Sequence, residues 1–340
     1  MPFTIHVTTD FDQMSAVAAS IVAADIEEKQ ASKPEYVLGL ATGNSPTGLY
    51  KHLAKAFNAG GIDAARVRTF NLDEYVGLPG ENAQQRALHR ESYSYFMTTE
   101  LFGLMRRKFV ETNVPWGTLI DQSALVAALE QNRDDYELQG ADKGKAIVVR
   151  QGGEGVLGEI KETILDAYDA KIAAAAGIDL HVVGVGGRGH VAFHESGIPF
   201  AGNRVLLVKL DDNTVDNAVS DGHFAAKEDS PWYAISMGAE LVYEARTVVL
   251  LANGGRKTGP VAESILGEVT CDVPISYGQT YVASGGNLVY VLDEDAAADV
   301  LAHRDELAAK GCQIVDRRGE SYARVAELAF CRDADSGLVG

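Results

Sequence analysis

Apolar residues follow two alternating rhythms along this chain. Between residues 11 and 30 they fall at Phe11, Met14, Val17, Ile21 and Ile26, a spacing that gathers them on one side of a helix. Tyr36–Leu40 then runs without a polar residue and reads as a strand; Leu49, Leu53 and Phe57 mark a second helix face, and residues 67–72 a second interior strand. With a first strand at 3–7, the alternation continues through helical stretches at 91–107 and 156–175, strands at Leu180–Val183 and 205–210, and a helix near 238–245. A strand at 248–252, a helix near 257–266 and a late strand at 288–292 complete it. Short apolar runs separated by amphipathic stretches predict an α/β fold: an open, doubly wound, mostly parallel sheet with helices on both faces. Ligands of such sheets sit beyond the carboxyl ends of the strands, so the residues just after each strand decide the chemistry.

This pattern accounts for residues 1–295 as a single α/β unit. Residues 117–147, with the polar run EQNRDDYELQGADKGK, read as an inserted surface segment, either an inert excursion or a lid. Residues 296–340 read as a helical extension ending in a poorly ordered tail. No internal repeat is visible. The formal charge of −18 provides no basic face for nucleic acid. The N-terminal stretch has no basic-then-apolar signal, and no apolar run approaches bilayer length, which points to a cytoplasmic protein without a membrane partner. Cys271, Cys312 and Cys331 are scattered, as expected of free thiols in a reducing compartment. An anionic ligand of so acidic a chain must be held by helix N-termini, bare backbone N–H groups and a few cations.

Four strand ends offer such devices. After Leu40 comes ATGNSPTGLY, where Asn44 or Ser45 can cap a helix with Pro46 in its first turn. Capping explains Ser45 and Pro46; Thr42, Gly43 and Asn44 add hydroxyl, close-approach and amide groups suited to phosphate at the positive end of a helix. The second, TFNLDEYVG, sets Asp73 and Glu74 among Phe70, Leu72, Tyr75 and Val76. This suits a buried carboxylate of raised pKa, or a solvated turn. The third, GVGGRGHVAFHESG, spells GxGxxG with Gly184, Gly186 and Gly189, and Asp211 lies where a ribose-binding acid would. No helix can start at the third glycine, because Gly197, Pro199 and Gly202 interrupt the interval, so an irregular loop carrying Arg188, His190, His194 and Glu195 is expected. The same glycines deny the helix that a four-residue histidine pair needs for a metal, and no third ligand is evident. The fourth, LANGGRKT, resembles a truncated P-loop without its first glycine; Lys257 at a helix start is explained by an anion held there, or is simply exposed.

Together LGLATGNSPTGLY, TFNLDEYVGL, SYSYFM, GVGGRGHVAFHESG, AISMG and LANGGRKT resemble the glucosamine-6-phosphate deaminase/isomerase family, whose wider superfamily includes the 6-phosphogluconolactonases. The match runs through roughly residues 36–260, more loosely to 292. The resemblance implies an aldose–ketose isomerase acting on a phosphorylated sugar with release of ammonia, and no metal, pyridoxal phosphate or nicotinamide cofactor. It implies Asp73 as the base moving a proton between C1 and C2, His190 as the ring-opening acid/base, and Glu195 as the acid that orients it. Thr42, Gly43, Asn44, Ser45 and Lys257 fall on the phosphate site; Glu74 and Arg188, which the resemblance does not assign, are expected as further substrate contacts. A homo-oligomer is left open.

Two departures stand out. The family carries an aspartate two residues before the histidine, where this chain has Arg188, and residues 211–224 contain no Arg or Lys where the family supplies a phosphate-gripping arginine. They keep open a related isomerase or lactonase acting on a different phosphosugar or sugar acid. A sugar-phosphate sensor of the same fold is the non-enzymatic alternative. Such proteins place a helix-turn-helix ahead of the domain, for which a strand beginning by Phe3 leaves no room.

Overall fold

A computed structural model describes residues 3–141 and 144–328, which form thirteen strands in two sheets. In chain order the strands are β1 (Phe3–Thr8), β2 (Tyr36–Leu40), β3 (Val67–Asn71), β4 (Asp73–Val76), β5 (Glu111–Asn113), β6 (Tyr136–Gln139) and β7 (Lys145–Val149). They continue with β8 (Leu180–Val183), β9 (Val205–Lys209), β10 (Tyr233–Met237), β11 (Thr247–Ala252), β12 (Asn287–Asp293) and β13 (Cys312–Asp316). The larger sheet is parallel throughout, in the order β13-β1-β12-β11-β8-β2-β3-β5. Its central strands β2 and β11 are largely apolar on both faces because helices cover both. Along β11, Val249 and Leu251 meet Met14, Val22, Leu49 and Leu53 of helices Phe11–Gln30 and Thr47–Ala59, whereas Val248 and Leu250 meet Tyr168, Val261 and Ile265 on the other side. This is the open, doubly wound parallel sheet that the alternation predicts.

The second sheet is antiparallel, in the order β4-β10-β9-β7-β6. The expected strand at 205–210 forms as β9 but belongs here, outside the parallel sheet. A mainly apolar run such as 205–210 shows that a strand is largely buried, not which neighbour it pairs with. β6 and β7 fall within or beside the stretch read as an insertion; they build the outer half of this sheet after helix Gln122–Gln131.

The segment after 296 holds helices Ala298–Ala302 and Arg304–Ala309, and then β13, which adds a parallel edge strand beside β1. A purely helical extension is therefore corrected: Cys312 and Ile314 carry the apolar side of a strand. The expected tail and Cys331 lie outside the described residues, while Cys271 and Cys312 are free thiols. Among the described residues no helix is long and apolar enough to cross a membrane.

Candidate active site

β11, β8, β2 and β3 are consecutive neighbours in the parallel sheet, and the four motif-bearing turns leave their carboxyl ends side by side. They floor a cleft of about 580 Å³, which suits a small ligand. Thr42, Gly43, Asn44, Ser45, Asp73, Arg188, His190 and Lys257 all line it.

Asp73 stands at a seam. β3 ends at Asn71 in the parallel sheet and β4 begins at Asp73 in the antiparallel one. Between them Leu72 donates its N–H to Leu40 (3.1 Å) and accepts from the N–H of Met237 (2.7 Å), one bond to each sheet. Asp73 is thus buried at a fixed point, with the Thr42 hydroxyl donating to its Oδ1 at 3.3 Å. Burial, reinforced by the charge of Glu74, pushes its carboxyl up to about 8, and the Thr42 bond opposes this. Such a group can take an acidic proton from carbon near neutral pH.

Glu74 points elsewhere. Successive strand residues face opposite sides, so Asp73 and Tyr75 enter the cleft while Glu74 turns into the protein. Its carboxylate accepts from the N–H groups of Tyr75 (2.9 Å), Tyr93 (2.9 Å) and Ser94 (3.0 Å) and from the Ser94 hydroxyl (3.1 Å). It thereby ties the start of helix Tyr93–Glu100 to β4, a use of negative charge at a helix N-terminus. The expectation that Glu74 touches substrate is corrected accordingly.

The turn after β2 is built differently from the expected capped helix. Pro46 is the residue before helix Thr47–Ala59, and no side chain caps that helix. Ser45 instead donates its hydroxyl to Asn253 Oδ1 at 2.8 Å, joining this turn to the one after β11. Gly43, at φ +97°, takes a conformation that other residues rarely adopt. Beside it, Lys257 precedes helix Thr258–Leu266 and has no ion-pair partner among the described residues. Burial, with Arg256 adding to it, holds the Lys257 ammonium below its ordinary pKa, a state that a bound anion would relieve.

The loop after β8 is irregular, as its glycines predict. His190 packs flat on Gly186, where an added Cβ would lie 1.8 Å from Nε2, and Gly186 donates its N–H to the His190 carbonyl (2.9 Å). His190 Nδ1 lies 3.5 Å from Glu195 Oε2, with Glu195 behind the ring rather than in the cleft. The other Glu195 oxygen accepts the Asp211 N–H at 3.1 Å. Burial lowers the His190 pKa, and the Glu195 carboxylate behind the ring opposes the shift. His194 plays no part in the cleft. Its Nε2 donates to the Ile198 carbonyl and its Nδ1 accepts the Ala239 N–H, which occupies both nitrogens in backbone bonds.

Arg188 lines the cleft and stays 42% exposed, with Nη1 3.4 Å from Asp211 Oδ2. Asp211 starts helix Asp212–Ser220, a wall that the sequence pattern did not announce. This helix contributes Asn213, Thr214 and Asn217 to the cleft, and Asp221 and His223 lie just beyond its end. Tyr75, Tyr93 and Phe193 close the end near Asp73, the last two stacked at 5.9 Å. Thr214, Val215 and Ala218 form the buried face of helix Asp212–Ser220, a short amphipathic spacing within an otherwise polar segment.

Fold and site define an α/β enzyme with acid–base groups over the carboxyl ends of a parallel sheet. No family model matches the chain. It is 32% identical over 294 residues to the glucosamine-6-phosphate deaminase of Clostridium botulinum (strain Loch Maree), covering 86% of this chain and 97% of the relative. It is 31% identical over 297 residues to that of Clostridium acetobutylicum, covering 87% and 99%. Among solved structures, a monomeric glucosamine-6-phosphate deaminase superposes with a TM-score of 0.64 at 22% identity, covering 87% of this chain and 99% of that one. The 6-phosphogluconolactonase of Trypanosoma cruzi gives 0.55 at 19%, covering 88% and 97%, a likeness of fold. The chain belongs to the glucosamine-6-phosphate deaminase family, whose isomerase and hydrolase chemistry serves carbohydrate metabolism.

Proposed function

We propose that this enzyme converts glucosamine 6-phosphate to fructose 6-phosphate and ammonia without a cofactor. The supporting observation is that a buried carboxylate of raised pKa and a carboxylate-backed histidine share one cleft with a cationic turn built for an anion. The sugar phosphate binds at Thr42–Ser45 and Lys257, where backbone amides and an unpaired ammonium meet. His190, oriented by Glu195, takes the anomeric hydroxyl proton and returns a proton to the ring oxygen, opening the ring. Asp73 then removes the C2 proton and delivers it to C1. The electron pair shifts through the enediolamine to leave an imine at C2, and water adds to that imine, expelling ammonia and leaving the ketone.

A second reading has one observation in its favour. Arg188 sets a cation in the cleft where the resemblance leads one to expect an acid, so a related isomerase or lactonase acting on a sugar with another anionic group also fits. Ammonia and fructose 6-phosphate measured from glucosamine 6-phosphate, beside hydrolysis of 6-phosphogluconolactone, separate the two. Lactone hydrolysis with no ammonia would overturn the deaminase reading. The protein is read as cytoplasmic, with a phosphorylated sugar as its small-molecule partner.

A further inference from the structure

The wall helix has no cation with which to grip a phosphate, yet one stands opposite. Arg256 lines the cleft beside Lys257, on a turn fixed by Asp293, whose carboxylate accepts the Gly254 N–H at 3.0 and 2.9 Å and the Ala296 N–H at 2.8 Å. The backbone is anchored while the side chain is mostly in solvent: the Arg256 side chain is 72% exposed, and its partner among the described residues is Asp221, 3.1 Å away. Asp221 lies at the C-terminal end of helix Asp212–Ser220 and also lines the cleft. An acid there opposes the helix dipole, so the helix's own stability does not explain it. What the position does provide is a carboxylate held against an arginine at the mouth of an anion pocket.

We propose that Arg256 is the second cation of the phosphate site, and that Asp221 is its resident counter-ion, displaced when the phosphate arrives. This rests on the anion-binding reading of Thr42–Ser45 and Lys257. An exposed carboxylate–arginine pair is weakly held. A phosphate offers the same fork-shaped geometry with more charge, and it also meets Lys257 and the backbone amides. The exchange moves no bond and consumes nothing: Asp221 returns to water as the phosphate takes its place. Lys257 already feels both groups, since Arg256 adds to the lowering of its pKa and Asp221 opposes it. Displacing Asp221 also unties the far end of the wall helix from the turn after β11, so filling the site loosens this wall.

The test is titration calorimetry of the full-length protein with inorganic phosphate, and then with glucosamine 6-phosphate. Arg256→Gln should weaken phosphate about tenfold or more, the loss of one charge-assisted contact, and Arg256→Lys should recover part of it. Asp221→Asn should tighten phosphate severalfold in the wild-type background and change it less than twofold in Arg256→Gln. Urea midpoints of all variants should stay together, because both residues are partly exposed. Unchanged phosphate affinity in Arg256→Gln would overturn the proposal. Equal tightening by Asp221→Asn in both backgrounds would also overturn it, by showing that Asp221 acts through the general field. Phosphate binding with the expected pattern, but no ammonia released, would support this inference and sink the proposed reaction.

Discussion

Gly186→Ala isolates the placement of the histidine from everything else in the cleft. Gly186 does not occupy the left-handed region, so alanine is tolerated by the backbone and only the new methyl matters. That methyl would lie 1.8 Å from Nε2, 2.1 Å from Cδ2 and 2.3 Å from Cε1 of His190. To reach ordinary contact at 3.4 Å the ring must withdraw by about 1.6 Å. No rotation about its own plane avoids this, because three ring atoms meet the methyl together. The withdrawal strains the contact with Glu195 and carries the imidazole away from the sugar. Misplacing a catalytic group by about 1 Å can cost on the order of a hundredfold, so turnover should fall by about that factor. Overpacking should cost about 1–3 kcal/mol in unfolding free energy. Phosphate affinity should stay within about twofold of wild type, since the Thr42–Ser45 turn is untouched. Ammonia release at saturating glucosamine 6-phosphate, with calorimetry of phosphate binding, reads both quantities. Turnover within threefold of wild type would show that the ring does not act from its observed position.

Other outcomes rest on the same geometry. Asp73→Asn should lower turnover by at least about a hundredfold while leaving phosphate affinity nearly unchanged; in the wild type, kcat/KM should rise with pH through about 8, because a base with a raised pKa must first ionise, and a profile flat from pH 6 to 8 would refute the role. Lys257→Ala should weaken phosphate by roughly 1.5–3 kcal/mol in calorimetry, and a smaller loss would leave the lysine outside the anion site. Arg188→Ala should leave ammonia release within about threefold if Asp211 is its working partner; a tenfold rise would show a cleft built for a different acid. His181 is buried, with burial holding its pKa near 4 against an unfolded value of 6.5, so its stabilisation is present above pH 6.5 and is lost as pH falls toward 4. The advantage of wild type over His181→Leu in urea unfolding should shrink by roughly 3 kcal/mol between pH 7 and pH 4, and a constant difference would contradict a neutral ring.

The parallel sheet was legible because each of its main strands is a short apolar run between amphipathic helices. Tyr36–Leu40, Leu180–Val183 and Phe11–Gln30 were read with the boundaries observed. The antiparallel sheet was not legible. β4 carries two acids and β10 a serine, so neither shows a strand's usual composition, and their pairing is decided across long separations. In the cleft, the residues after each parallel strand were found because backbone direction places them there. Glu74 was misassigned because adjacency in sequence conceals that neighbours on a strand face apart. The turn after β2 kept its place but not its capping, since Ser45 serves Asn253 instead. The wall of 212–220 was missed because it is polar and short, and its value to the site comes from the residues that stand across from it.

The seam at Leu72 bears on how such a scaffold can change its substrate. Asp73 is one residue from a peptide unit bonded to both sheets, so displacing it means sliding one sheet against the other. Across the cleft, Arg188 pairs with the buried Asp211 and Arg256 with the half-buried Asp221, two separate ion pairs whose exposed arginines a single substitution can replace at little cost to the core. Proton transfer at carbon is thereby anchored to the architecture, while recognition of the sugar's remaining groups is left to replaceable parts. A library aimed at new sugar acids should hold 71–76 constant and vary 188, 213, 217, 221 and 256, and variants that survive folding should differ in what they bind far more than in how they move the proton.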